Sequence, residues 1–128
     1  MALTVADTAV LIDALRGREP SARPVRAGLV DGSLVTTAVN AFELRSGART
    51  AQEEEAVDRI LGAMTVLPLD AAAGGRAAAC RRELEAGGRT IGMGDDLIAG
   101  ICLDRSARLL TRNRSDFDRV DGLEVVDP

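Results

Sequence analysis

Four acidic side chains, spread from one end of the chain to the other, each follow or open a structural element. Asp7 comes after Leu3-Thr4-Val5-Ala6, Glu43 lies in Asn40-Ala41-Phe42-Glu43-Leu44, Asp95 in Gly92-Met93-Gly94-Asp95-Asp96-Leu97, and Asp116 in Asn113-Arg114-Ser115-Asp116-Phe117. Brought together by folding, they would make an oxygen-only pocket of high negative charge. Hard divalent cations such as Mg²⁺ or Mn²⁺ occupy such pockets, and their commonest catalytic use is phosphate chemistry. Two carboxylates about 4 Å apart repel by roughly 4 kcal/mol at an effective dielectric near 20. A cluster of three or four therefore needs cations or protons to offset it.

The residue types that are missing narrow the chemistry further. The chain has no histidine, lysine, tyrosine or tryptophan. Imidazole bases, Ser-His-Asp triads, histidine-bearing zinc sites, Schiff bases and the P-loop lysine are all excluded. Carboxylates, hydroxyls, two thiols and arginines remain, and metal-assisted hydrolysis is the reaction they supply best. The net charge of −4 is unusual for a nucleic-acid binder. Acids gathered in one pocket would account for that total while arginines elsewhere form a phosphate-binding rim.

At 128 residues and 46% apolar, the chain is expected to form one domain with its own core. Cys80 and Cys102 lack C-x-x-C spacing and read as reduced thiols. Asp7 interrupts the N-terminal apolar stretch, and no run reaches the ~20 apolar residues of a membrane span. A cytoplasmic protein with no membrane association is the expectation.

The elements that must position the acids alternate between strand and helix. Strands are expected at Leu3–Ala6, Ser33–Thr36, Thr65–Leu69, Arg108–Thr111 and Leu123–Val126. A helix capped by Asp7-Thr8 carries Val10, Leu11, Ala14 and Leu15 and ends at Gly17; a loop over Pro20–Pro24 precedes an amphipathic segment to Val30. Further helices span Ala38–Arg49, Glu53–Met64, Asp70 to Glu85, and Asp96–Ser106, the last opened by Gly94-Asp95; Asp116–Arg119 reads as a turn. Strands separated by helices imply crossovers and a parallel sheet covered on both faces, a three-layer α/β domain. Ligands of such sheets bind beyond the carboxyl ends of the strands, near the point where strand order reverses. Asp7, Thr36-Thr37 and Thr111-Arg112-Asn113 stand at those ends.

Each acid also has a plainer role available. Asp7 and Asp95 fit helix N-caps. Asp96 reads as a cap or solvent-facing charge, Glu43 as a helix residue between Phe42 and Leu44, and Asp116 and Asp118 as turn acids. Asp13, Asp31, Glu53–Glu55, Asp58 and Asp104 read as solvated faces. The coincidence of several acids at strand ends is the signal.

Taken together the motifs resemble the PIN-domain nucleases over essentially the whole chain, residues 1–128. Asp7-Thr8-Ala9-Val10-Leu11-Ile12-Asp13 is similar to that family's opening motif, Thr36 to Gly47 with Glu43-Leu44 to its second, Gly94-Asp95-Asp96-Leu97-Ile98-Ala99 to its third, and Thr111-Arg112-Asn113-Arg114-Ser115-Asp116-Phe117 to its fourth. The compact length resembles the VapC group of type II toxin–antitoxin ribonucleases. That resemblance implies a Mg²⁺- or Mn²⁺-dependent endoribonuclease toxin that hydrolyses RNA phosphodiester bonds, a VapB-type antitoxin that neutralises it, a homodimer, and a sheet in the order 3-2-1-4-5. It implies that Asp7 and Asp95 bind metal directly and that Glu43 and Asp116 ligate it or a second ion. Thr8, Thr111 and Asn113 would orient them. The sequence departs from the family at Ala9, where a polar residue is usual, and at Asn113, where some relatives carry an acid. RNA phosphates would be held by Arg45, Arg49, Arg112 and Arg114. Phe42 and Phe117 are expected in the core, which would leave specificity to RNA shape. Two other readings are a Mg²⁺-binding phospho-receiver, which would need a lysine this chain lacks, and a PIN module without catalysis.

Overall fold

The computed structural model describes residues 2–128 and has five strands in one sheet, ordered β3-β2-β1-β4-β5. The strands are β1 (Thr4–Ala6), β2 (Leu34–Thr37), β3 (Thr65–Leu67), β4 (Arg108–Leu110) and β5 (Val125–Val126). All four pairings are parallel, with Val5 beside Val35 on one side and Leu109 on the other. Every residue of β1 and β2 is buried, as expected of central strands covered on both faces. Chain order runs outward from β1 through β2 to β3, then returns to the other side of β1 with β4. The switch point therefore lies between β1 and β4.

Seven helices cover the sheet: α1 (Thr8–Leu15), α2 (Ala22–Asp31), α3 (Ala38–Gly47), α4 (Ala51–Gly62), α5 (Ala71–Ala86), α6 (Met93–Asp104) and α7 (Arg114–Phe117). Four of them start on side-chain caps. Asp7 accepts from Thr8 N at 2.9 Å, Thr37 from Asn40 N at 3.2 Å, Thr50 from Glu53 N at 3.1 Å and Asp70 from Ala73 N at 3.0 Å. One apolar cluster joins the sheet to α5, α6 and α7 through Leu84, Ile98, Ile101 and Phe117. The other joins it to α1–α4 through Val10, Leu11, Val25, Leu44 and Ile60. Among the described residues no helix is long and apolar enough to cross a membrane. Cys80 and Cys102 are free thiols, both buried.

Several boundaries depart from those expected: α4 runs two residues earlier at both ends, and β3 and β5 are each two residues shorter. Helix α2 starts at Ala22, inside the segment expected to be a loop. Pro24 falls in its first turn, where a missing N–H costs no intrahelical bond. Helix α6 starts at Met93 with Gly92 as its N-cap, so Asp95 lies within the first turn and is not the cap. Of the turn expected at Asp116–Arg119, Asp116 and Phe117 end the short helix α7, and Asp118 and Arg119 form the turn.

Candidate active site

The end of β1 delivers Asp7 into the switch-point crevice, and neighbouring elements fix both of its oxygens. Thr111, at the end of β4, donates its hydroxyl to Asp7 Oδ2 at 2.6 Å. Asn40 of α3 donates to Oδ1 at 3.1 Å, beside the backbone N–H of Thr8. Asp7 is thus helix cap and pocket acid at once, 8% exposed. The network continues outward: Asn40 Nδ2 also donates to Thr8 Oγ1 at 2.9 Å, and Thr8 Oγ1 donates to Glu43 Oε1 at 2.6 Å. Each hydroxyl proton ends on an oxygen of the site or of the residues that hold it, so both carboxylates are turned by donors from neighbouring elements.

Asn40 was not singled out by the sequence reading, yet it is fully buried at the centre of this network. Its Oδ1 accepts from Thr37 Oγ1 at 2.6 Å while its amide serves Asp7 and Thr8. The available signal was spacing: Thr37 caps α3 at a strand end, and Asn40 and Glu43 follow at three-residue steps along one face.

Asp95 approaches from α6. Its carboxyl is pushed up to about 6, first by burial and then by the charges of Asp7, Glu43 and Asp116, with a smaller push from Asp96. The same approach is visible at Gly94, where a Cβ would stand 3.5 Å from Glu43 Oε2. Asp116 lies in α7, partly buried, with Oδ2 accepting from Asn113 Nδ2 at 3.1 Å; Asn113 N in turn donates to Thr111 Oγ1 at 3.0 Å. Asn113 therefore holds Asp116 to the end of β4. In the side-chain conformations observed, no three acidic or thiol groups among the described residues close around a common point. Asp7, Glu43 and Asp116 lie near enough to Asp95 for their charges to add to burial in disfavouring its ionised form. An all-oxygen donor set that carries uncompensated negative charge suits a hard divalent cation. Asp7, Glu43, Asp95 and Asp116 are the residues that would hold one.

The structure corrects the expectations for Asp96 and Phe42 and shows where the four arginines stand. Asp96, read as a cap or solvent-facing charge, is 3% exposed and pairs with Arg81 of α5 at 3.3 Å. Phe42, expected in the core, is 69% exposed on the helix that carries Glu43, while Phe117 is fully buried. Of the arginines expected to meet phosphate, Arg45 pairs with Asp58 at 2.6 Å and Arg112 with Asp13 at 3.1 Å. Arg114 is tied to Asp118, Asp127 and the carbonyl of Val125. Arg49 reaches only the carbonyl of Ser46 among the described residues.

A parallel sheet in this order, with acids gathered at its switch point, defines a PIN-type α/β nuclease domain, and a PIN domain model matches residues 4–123. The chain belongs to the PIN-domain family. It is 32% identical over 125 residues to the tRNA(fMet)-specific endonuclease VapC of Shigella flexneri, covering 94% of each protein. Among solved structures, VapBC2 from Rickettsia felis bound to a promoter DNA fragment superposes with a TM-score of 0.89 at 21% identity, over 98% of both chains. A toxin–antitoxin complex from Klebsiella pneumoniae gives a TM-score of 0.78 at 24% identity, over 98% of this chain and 96% of that one. These two likenesses are of fold.

Proposed function

We propose that the protein is a divalent-metal-dependent endoribonuclease of the VapC type, which hydrolyses RNA phosphodiester bonds and is held in check by an antitoxin. The observation that carries the reading is the network in which Thr111 and Asn40 fix Asp7 while Thr8 fixes Glu43. Side chains from β4, α3 and α1 are spent on aiming carboxylates, beyond what a helix cap requires. A cation bound there would supply positive charge to polarise the phosphate and to make water a better nucleophile. The chain's own contribution is to hold the carboxylates correctly turned, through Thr111, Asn40 and Thr8 for Asp7 and Glu43, and Asn113 for Asp116. The direct test incubates antitoxin-free protein with RNA and Mn²⁺, with and without chelator. Cleavage that stops on chelation and returns with Mn²⁺ supports the reading. Undiminished cleavage under chelation, or none with Mn²⁺, defeats it, and the second result favours a PIN module that only binds.

The position of Phe42 alters the expectation for specificity. In a chain with two aromatic residues, this one is exposed and adjoins Glu43. Val39, one turn earlier on α3, packs into the cluster formed with α6. Phe42 lies beside that packed face, open to solvent. An unpaired base stacked on an aromatic ring gains about 1–3 kcal/mol. Replacing Phe42 with alanine is expected to raise KM for RNA roughly 10-fold, with Mn²⁺ affinity unchanged. A normal KM together with a lost dimer in sedimentation would assign the ring to a subunit interface instead.

A groove of about 410 Å³ runs between α1, α3 and α4, lined by Ile12, Leu15, Leu44, Ala56 and Val57, and it reaches Glu43. The similar Klebsiella pneumoniae structure is a toxin–antitoxin complex. An apolar antitoxin segment lying in this groove would bring the inhibitor to the edge of the acidic pocket.

A further inference from the structure

Asp95 and Asp96 stand side by side in the first turn of α6 and face opposite surroundings. Asp95 is on the side of the acidic pocket, where a Cβ on its neighbour Gly94 would stand 3.5 Å from Glu43 Oε2. Asp96 points towards α5, is 3% exposed, and has Oδ2 at 3.3 Å from Arg81 Nη1. Arg81 is itself steadied by Glu85, whose Oε1 lies 3.0 Å from Nε. Asp96 Oδ1 is buried with no hydrogen-bond partner, beside a void of about 20 Å³ lined by Arg81, Leu84, Glu85, Thr90 and Ile91. Asp96 is covered while the Arg81 side chain is 46% exposed, so water weakens the pair, and an unsatisfied buried carboxylate oxygen is a further cost. Packing alone would favour an apolar residue at this position.

We infer that Arg81, acting through Asp96, is a positioning residue: it anchors the start of α6 to α5 and so sets where Asp95 enters the acidic pocket. This rests on the metal-dependent reading above. Two contacts then set α6 on α5. Midway, Gly100 lies directly against Ala77; one turn from the start, Arg81 grips Asp96. The first fixes how close the helices come, and the second fixes where the leading turn points.

The test compares wild type with Arg81→Met, Asp96→Asn and the double variant Arg81→Met/Asp96→Leu, which replaces the ion pair with apolar packing. Mn²⁺ affinity is measured by calorimetry on metal-free protein, beside thermal unfolding and the kinetics of RNA cleavage. Outer residues that orient metal ligands typically change affinity by about 10–100-fold. The expected result is Mn²⁺ binding weakened by about that factor in all three variants, with kcat lowered and KM for RNA unchanged. The double variant is expected to regain wild-type unfolding temperature while its Mn²⁺ binding stays weak. If the single variants do not fold, the double variant decides. Wild-type Mn²⁺ affinity in a stable double variant would show that the pair only holds the helices together, and the inference would fall. Wild-type protein that takes up no Mn²⁺ would overturn the metal reading itself, and this inference with it.

Discussion

Replacing Asp95 with asparagine is expected to make the metal-free protein more stable and to abolish metal-dependent RNA cleavage, by at least about 10³-fold in kcat/KM. Both effects follow from one property of the site. The Asp95 carboxyl is raised from its ordinary value of 3.8 to about 6, so its ionised form is disfavoured in the fold. Asparagine keeps the shape and removes the charge. Asp95 is only partly shielded from water, so solvent screening brings the gain at neutral pH to about 1–2 kcal/mol. That is visible as a rise of several degrees in unfolding temperature. Unchanged activity in Asp95→Asn would remove Asp95 from the site. A fall in its metal-free stability would show that the repulsion inferred from its neighbours is not there.

The pH dependence carries the same sign. Below 3.8 the carboxyl is protonated in both folded and unfolded chains and contributes nothing. Between 3.8 and about 6 the unfolded chain has released its proton while the folded one retains it, so stability falls as pH rises. Above about 6 the destabilisation is complete. Saturating Mn²⁺ is expected to reverse the trend, because the ion binds the ionised pocket and stabilises in proportion to RT ln(1 + [Mn²⁺]/Kd). Asp95→Asn should lose the contribution of this group in both conditions. Unfolding temperature followed from pH 4 to 7.5, with and without Mn²⁺, separates the cases.

The fold was largely legible in the sequence because its signals are local. Buried parallel strands show as short apolar runs, and Asp7 and Asp70 mark helix starts with side chains that accept from the N–H one and three residues onward. What stayed hidden depended on helix phase or on contacts distant in the chain. Leu97 to Cys102 is an unbroken apolar run, and a helix apolar on all sides does not reveal which of two adjacent acids faces the pocket. Asp96 therefore read as solvated although it is buried. Phe42 read as core because aromatic residues usually are, and only the orientation of α3 turns it outward. Asn40 looked like an ordinary helix residue. Its role exists only once β1 and β2 pair in register and bring Asp7 beside α3. The four candidate acids stood out in the sequence through the motifs around them. Their mutual approach belongs to the topology, since β1 must lie between β2 and β4 for Asp7 to meet Asn40 and Thr111.

Adding one methyl group at Gly100 is expected to do more damage to stability than removing any surface ion pair. Gly100 sits in the middle of α6 and is fully covered by α5. A Cβ there would lie 2.5 Å from the Cβ of Ala77, 2.6 Å from its backbone nitrogen and 2.7 Å from its Cα. All three atoms belong to the Ala77 backbone or its methyl group, so no rotamer relieves the clash. The helices must separate, or α6 must slide. Either movement disturbs the contacts of Ile98, Ile101 and Leu84, which fill the core on that face of the sheet. The higher helix propensity of alanine returns about 1 kcal/mol, while overpacking of this kind costs about 1–3 kcal/mol and exceeds that where backbone must move. A net loss of about 2 kcal/mol is expected for Gly100→Ala, and a larger one for Gly100→Val. By contrast, Arg45→Ala, which removes the exposed pair with Asp58, should change stability by less than about 1 kcal/mol. Because α6 also carries Asp95, a displaced helix should weaken Mn²⁺ binding along with stability, whereas Arg45→Ala should leave it alone. Urea unfolding and Mn²⁺ calorimetry on the two variants make the comparison. Equal stabilities would mean that α5 and α6 have more room between them than their geometry shows.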